Sequence, residues 1–250
     1  MKYQKICIIG GGITGLITAI SLSKLNCSID LIISNPRKYL KSKRSIAVSE
    51  DNFNFLDKLN ISKSLKKEIW PCTIMKLYTE DKDDNFTKVF ELNNEKKQKK
   101  ILYMFENLKF MKLLMNKIKR TKCISIKKYE KVSSISTTGL LKNVRCNNKN
   151  YKYNLVIICA GHNSVLVKNL FDNKIIEKSY KEIGITTILN HSSLKNNTVR
   201  QIFLDNEILA LLPISNNKTS IVWSVKKSYE KKNSKFIKEK IKYYLEKYLK

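Results

Sequence analysis

Four of the seven glycines in this 250-residue chain fall between Gly10 and Gly15. An apolar run suited to a buried parallel strand, Ile6 to Ile9, leads into them. A helical pattern leads out, with Leu16, Ala19, Ile20 and Leu22 recurring on one side. A second apolar run, Ile29 to Ile33, comes next. This order of strand, G-x-G-x-x-G turn, helix and strand predicts a dinucleotide-binding βαβ unit. Gly10 permits the tight turn, Gly12 lets the backbone approach a diphosphate, and Gly15 allows close packing of helix on strand. The helix start adds free N–H groups and a positive dipole end. Gly10, Gly12, Thr14 and Gly15 are therefore candidate cofactor-binding residues.

One part of that pattern is replaced. An acidic residue normally ends the second strand and holds the adenosine ribose. Here the strand ends Ile32-Ile33-Ser34, and Asp30 falls in mid-strand, where it belongs to a strand face. Ser34 is the candidate for a weaker hydrogen bond to the ribose.

The remaining composition narrows the class. Lys and Arg number 49 against 21 Asp and Glu, a formal charge of +28, which invites a nucleic-acid reading. The lysines, however, run from Lys2 to Lys250 rather than clustering. Arg, the preferred reader of bases and phosphates, occurs only at Arg37, Arg44, Arg120, Arg145 and Arg200. No specific nucleic-acid partner is expected, while a basic exterior suits weak attraction to anionic lipid headgroups. No apolar stretch approaches the ~18–20 residues of a spanning helix, and nothing at the start reads as a secretory signal. Six cysteines without a C-x-x-C pair, and only His162 and His191 besides, indicate neither a metal site nor a disulfide framework. The expected setting is cytoplasmic, with peripheral attachment at the inner membrane face as an option.

The glycine motif alone does not separate NAD from FAD; the downstream segments carry more. Arg44-Ser-Ile-Ala-Val-Ser49 precedes a helix with Phe53, Leu56 and Leu59 on one side. Met104-Phe-Glu106-Asn107-Leu-Lys-Phe opens another amphipathic helix. Leu155-Val-Ile-Ile-Cys159 reads as a buried strand entering the turn Ala160-Gly161-His-Asn163. Asn206 to Ile214 and Thr219 to Ser224 read as two strands joined at Asn216-Asn217. In that order these segments resemble the flavin-dependent aromatic hydroxylases, most closely the ubiquinone-biosynthesis FAD-dependent hydroxylases (UbiH/UbiF-like). Their R-x-x-A-L-S motif is matched by Arg44, Ala47, Val48 and Ser49. Their E-N-R-x-L helix start is matched by Glu106 and Asn107, with Leu108 in place of Arg. Their A-L-L-P-L and S-I-V-W segments are matched by Ala210 to Ile214 and Ser220 to Trp223.

The resemblance implies an α/β fold: a Rossmann-like FAD-binding parallel sheet interleaved with an antiparallel substrate-side sheet, as in p-hydroxybenzoate hydroxylase. It places FAD-binding residues at 1–70 and 100–175, and the substrate-side sheet and terminal helix at 71–99 and 176–250. Arg44 would lie along the flavin and its phosphates, or else be a solvated loop charge beside Lys41 and Lys43. Asn107 would hydrogen-bond the flavin region, or else only cap its helix. Gly161 belongs to the second flavin motif, although the family's Asp-Gly is Ala160-Gly161 here. The implied activity is hydroxylation of an aromatic ring, a polyprenylphenol on the ubiquinone pathway, with NAD(P)H as reductant and O2 as oxygen donor. The cofactor carries such chemistry, so no catalytic side chain is assigned. His162 is read as a loop residue and His191 as a surface one.

Two other enzyme and non-enzyme readings stay open: a flavin-dependent reductase or dehydrogenase without oxygenation, and an inactive fragment of the family. The family continues into a Gly-Asp motif that completes the sheet and the cofactor site, and no glycine follows Gly184 here. The chain is accordingly expected to be a C-terminally truncated member that holds FAD poorly. Asn93 to Lys100 reads as a solvated charged turn. The basic amphipathic pattern from Ser234 to Lys250 reads as a helix packed on the sheet, or lying on a membrane surface.

Overall fold

The computed structural model describes residues 3–36, 44–65, 68–80, 86–95, 99–161, 164–171, 174 and 176–248. Chain contacts divide the molecule into two units, each assembled from three segments. The first comprises Met1–Ser42, Asn54–Glu68 and Asn107–Glu177; the second comprises Lys43–Phe53, Ile69–Glu106 and Lys178–Lys250.

In the first unit the glycine turn joins β1 (Gln4–Ile9) to α1 (Ile13–Leu22), and β2 (Cys27–Ile33) returns beside β1 in parallel. With β8 (Ile124–Lys128) and β12 (Leu155–Ile158) they form a parallel sheet of order β12-β1-β2-β8. The near-continuous apolar sequence of β1 and β2 follows from burial on both faces. Cys7, Ile9 and Ile32 pack with Val132, Val144, Cys146, Tyr153 and Leu166 on one face. By the two-residue strand period, Ile6, Ile8, Ile29 and Leu31 turn to the other. After α2 (Glu50–Lys58) and α3 (Ser62–Leu65) in chain order comes α4 (Asn107–Lys119), which packs there beside α1 with Phe110, Met111, Leu114 and Ile118 buried at helical spacing.

The covering layer on the first face is a sheet of β9 (Val132–Thr138), β10 (Leu141–Cys146) and β11 (Lys149–Tyr153) in antiparallel order β11-β10-β9. It links β8 to β12. One expectation changes here. Leu155–Ile158 is an edge strand rather than a buried one, with Leu155 47% exposed, because the sheet order ends at β12. Asp30 stands in mid-β2 on a strand face, as expected, and that face is buried. Tyr153 donates its hydroxyl to Asp30 Oδ2 at 2.8 Å, and Lys5 and Lys127 each lie 3.5 Å from the same oxygen.

The second unit is built on a six-stranded sheet, β13-β16-β15-β14-β5-β6. Its strands are β5 (Ile74–Glu80), β6 (Phe86–Asn93), β13 (Glu182–Asn190), β14 (Thr198–Leu204), β15 (Glu207–Ser215) and β16 (Lys218–Lys226). All pairs are antiparallel except β14 with β5, which run parallel. The helix α6 (Ser234–Tyr248) covers one face: Ile241 and Tyr244 join Ile202, Leu209, Leu211, Ile221, Trp223 and Val225. Its apolar side is thereby consumed by the sheet, as the packed-helix reading expects. A smaller sheet, β3 (Ser45–Ser49), β7 (Leu102–Glu106) and β4 (Ile69–Cys72) in order β3-β7-β4, packs through Cys72 and Met104 onto Val199, Leu212 and Ile214.

The boundaries expected at 70/71, 99/100 and 175/176 therefore shift. Residues 43–53 and 100–106 belong to the second unit, because β3 and β4 both pair with β7 and not with the parallel sheet. Met104 to Glu106 are strand residues, and the helix begins at Asn107. Within the stretch expected to be a solvated turn, Glu95 is anchored: it accepts from Asn197 at 2.7 Å and pairs with Lys195 at 2.8 Å. His191 is half-buried, 3.0 Å from the Thr219 hydroxyl. Among the described residues no helix is long and apolar enough to cross a membrane.

Candidate dinucleotide site

The corner where β1 meets α1 is shaped by backbone passing backbone. Gly10 has φ +127°, a conformation closed to most L side chains. A Cβ there would lie 2.3 Å from the Cys159 carbonyl oxygen at the end of β12, and one on Gly15 would lie 1.9 Å from the Gly10 carbonyl oxygen. Both glycines are thus required by the crossing of β1, α1 and β12 alone. Gly11 contributes as well, buried against Ile33. The turn is held by the Gly10 N–H donating to Ile32 O at 2.9 Å and the Cys159 N–H donating to Ile9 O at 2.7 Å.

Gly12 is the N-cap of α1, with extended backbone (φ −76°, ψ 176°) and no side-chain capping bond. No acidic residue stands in the first turn of α1. The first intrahelical bond is Leu16 N–H to Gly12 O at 3.0 Å. An uncapped helix start with no carboxylate in its first turn leaves N–H donors and the positive dipole end for an anion. Thr14 is exposed in that first turn.

Beside this corner lies a cavity of about 730 Å³, within the range of small-ligand sites. Its wall brings together Ile9 and Gly10 from the turn, Ile32, Ser34 and Asn35 from the end of β2, and Ala160 and Gly161 from the end of β12. Gly161 has φ +79° with open space where a Cβ would stand, so the glycine serves backbone direction there. Ser164, Val165, Leu166 and Asn169 enter from α5 (Val165–Phe171) and the residue before it. Lys131, Val132 and Ser133 enter from the start of β9.

The fold thus gathers Gly10, Ser34 and Gly161 on one cavity, with Gly12, Thr14 and Gly15 in the adjoining turn and first helical turn. Arg44 stands just before β3 in the second unit, and Asn107 opens α4 in the first; neither lines this cavity. His162, Asn163, Lys41 and Lys43 lie outside the described residues. Asn35, Lys131, Ser133 and Asn169 are wall residues that no sequence motif marks. Strand pairing brings in Lys131 and Ser133, since β8 runs alongside β2 and delivers β9 to its end, whereas Asn35 directly follows Ser34 and Asn169 comes from α5.

The Cys7 and Cys146 thiols are buried, and burial pushes them up to about 12 and about 11 respectively. Among the described residues no group of three or more His, Cys, Asp or Glu could hold a metal ion.

A model of the FAD binding domain family matches residues 3–249. The chain belongs to that family. No curated protein matches it in sequence. Among solved structures, PqsL of Pseudomonas aeruginosa in complex with 2-aminobenzoylacetate superposes with a TM-score of 0.76 at 12% identity, over 92% of this chain and 62% of that one. CtdE in complex with FAD gives 0.68 at 13% identity, over 93% and 62%. A point variant of Klebsiella pneumoniae HpxO complexed with FAD gives 0.69 at 12% identity, over 90% and 57%. At such identities the likeness establishes the fold, an α/β domain with a parallel sheet and a second sheet unit. The chain spans about three fifths of the length of PqsL and CtdE.

The residues present suit the family's cofactor at its adenosine diphosphate end. The uncapped start of α1 has N–H donors of the kind a diphosphate takes, and a cavity of about 730 Å³ adjoins the glycine turn through Gly10.

Proposed function

We propose that this chain seats the ADP portion of FAD at the β1–α1 corner and serves an FAD-dependent monooxygenase that hydroxylates an aromatic ring. The observation that carries the seat is the uncapped, carboxylate-free start of α1 beside a cavity walled by Gly10, Ser34 and Gly161. Family membership over residues 3–249 supports FAD as the group held. Oxygenation is supported by fold likeness, since PqsL is named a "probable FAD-dependent monooxygenase". The polyprenylphenol substrate and the ubiquinone pathway rest on the resemblance of Arg44 to Ser49, Glu106-Asn107 and Ala210 to Trp223. NAD(P)H is the proposed reductant.

Bound flavin would supply two-electron reduction and oxygen activation. The chain's own contributions are positional. The N–H groups of Gly12, Ile13 and Thr14 would hold the diphosphate, and the α1 dipole would favour its negative charge. Ser34 would offer a neutral hydrogen bond to the ribose. Arg44 and Asn107 are proposed to meet the flavin side of the cofactor. The basic exterior would add weak attraction to anionic membranes, and failure to sediment with anionic vesicles at low salt would remove that part.

The test is direct. Purified protein supplied with FAD is expected to quench flavin fluorescence and to consume NAD(P)H and O2 in the presence of an electron-rich phenol. NAD(P)H oxidation that is not coupled to phenol-dependent O2 consumption and yields no hydroxylated phenol would instead assign a flavin reductase or dehydrogenase. Absence of any FAD binding would contradict the cofactor assignment itself.

A further inference from the structure

The six-stranded sheet is covered unevenly by its helix. Trp223 and Val225 of β16 lie under α6, and they pair in register with Ile185 and Ile183 of β13. By the two-residue strand period Thr187 stands on the same face. Ile241 and Tyr244 close α6 over the inner strands, whereas β13 is the edge of the sheet. A cleft of about 370 Å³ remains between α6 and this edge, inside the range of small-ligand sites. Ile183, Ile185 and Thr187 form one side of it. Ile237 and Ile241, one helical turn apart, form the other.

The rim of the cleft is charged, and mostly cationic. Lys232 and Lys238 line it with a single carboxylate, Glu230. Lys240 nearby is paired with Glu207 at 3.1 Å, whereas among the described residues no carboxylate pairs with Lys232 or Lys238. The flanking sequence adds Lys226, Lys227, Lys231, Lys235 and Lys242 against Glu239. An apolar trough with a basic rim suits a ligand that is apolar along its length and anionic at one end. Size separates such a ligand from a docked polypeptide. One turn of a helix about 10 Å across fills about 420 Å³, more than the whole cleft, while an alkyl chain is far slimmer.

We propose that this cleft binds a long-chain fatty acid, with the alkyl chain between β13 and α6 and the carboxylate at Lys232 and Lys238. Burial of methylenes supplies the affinity, and the lysines select the sign of the head group. The site lies wholly in the second unit and makes no use of the cofactor reading.

Calorimetric titration of the 250-residue protein with laurate, octanoate and dodecyltrimethylammonium, each below its micelle concentration, tests this. Laurate is expected to saturate a single site. Octanoate should be weaker by up to about four-fold per methylene lost. The cation should bind about ten-fold more weakly than laurate, or worse. Lys232→Glu combined with Lys238→Glu should remove the preference for laurate over the cation, and Glu230→Gln should raise it. These three positions are exposed, so the changes do not threaten folding. Thr187→Phe, a residue that strands accept, should fill the cleft and weaken both twelve-carbon ligands. Equal affinity for laurate and the cation in the parent, or no saturable laurate binding, would overturn the inference. So would laurate binding untouched by Thr187→Phe and by the double charge reversal. A parent that sediments as a dimer and becomes monomeric in Thr187→Phe would give the cleft to a second copy, and would overturn it too. FAD enters none of these measurements, so their failure leaves the cofactor assignment where it stands.

Discussion

At the scale of single residues, the chain distinguishes glycines it needs from glycines it tolerates. Gly15→Ala would drive a Cβ to 1.9 Å from the Gly10 carbonyl oxygen, a backbone atom that cannot swing aside. The expected cost is about 2 kcal/mol or more. Gly184, in β13, has nothing within 4 Å of a Cβ position. Gly184→Ala is therefore expected to change stability by less than about 1 kcal/mol and in the stabilising direction. Urea denaturation of the two variants measures the contrast. The glycine turn was legible in the sequence because its steric demand is local: strand, turn and helix are adjacent in the chain. Lys131 and Ser133 were not, because they reach the cavity only through the pairing of β8 with β2, across about a hundred residues of sequence. Arg44 and Asn107 stand out in the sequence by motif, yet the cavity wall includes neither.

At the scale of elements, α6 shows how a basic, amphipathic segment is committed to its sheet. Glu207 on β15 accepts from Trp223 Nε1 at 3.1 Å, from Tyr244 at 3.3 Å and from Lys240 at 3.1 Å. The Lys240 ammonium also lies over the rings of Tyr229, Trp223 and Tyr244 at 4.9, 5.6 and 5.6 Å. Removing the carboxylate leaves an indole N–H, a phenol and an ammonium without their shared acceptor. Glu207→Ala is expected to cost about 2–3 kcal/mol and to red-shift Trp223 fluorescence as α6 loosens. Unchanged stability with unchanged emission would mean that apolar packing alone holds the helix. The 3.6-residue apolar pattern of α6 foretold this packing. The β9–β11 sheet gave no comparable signal: most of β9 is exposed on both faces, so its Ser and Thr residues carry no alternation to read.

At the scale of the whole molecule, two global properties are set by charge. Burial raises the thiols of Cys7 and Cys72 from 9.0 to about 12 and that of Cys146 to about 11. The unfolded chain releases these protons from about pH 9, whereas the fold retains them. Stability is therefore full below pH 9 and is lost as pH rises towards 11–12. Equilibrium unfolding at stepped pH should show this slope, and Cys72→Ala should reduce it. The +28 formal charge works by self-repulsion, so melting temperature should rise between about 0.02 and 0.3 M salt as screening sets in. The two-unit organisation was legible only in outline: β3 comes from one segment and β4 and β7 from another, about thirty residues apart within it, and nothing local in them announces that they pair with one another. The claim on which the rest depends is that the start of α1 receives the cofactor's diphosphate, and Gly12→Asp probes it. Aspartate is a favoured N-cap, so the variant should fold as well as the parent or better. Its carboxylate would, however, stand against the diphosphate. In a fluorescence titration with FAD, the parent should bind and the variant should be weakened about a hundred-fold at an unchanged or raised melting temperature. Equal FAD affinity in the two proteins would place the diphosphate elsewhere and contradict the account.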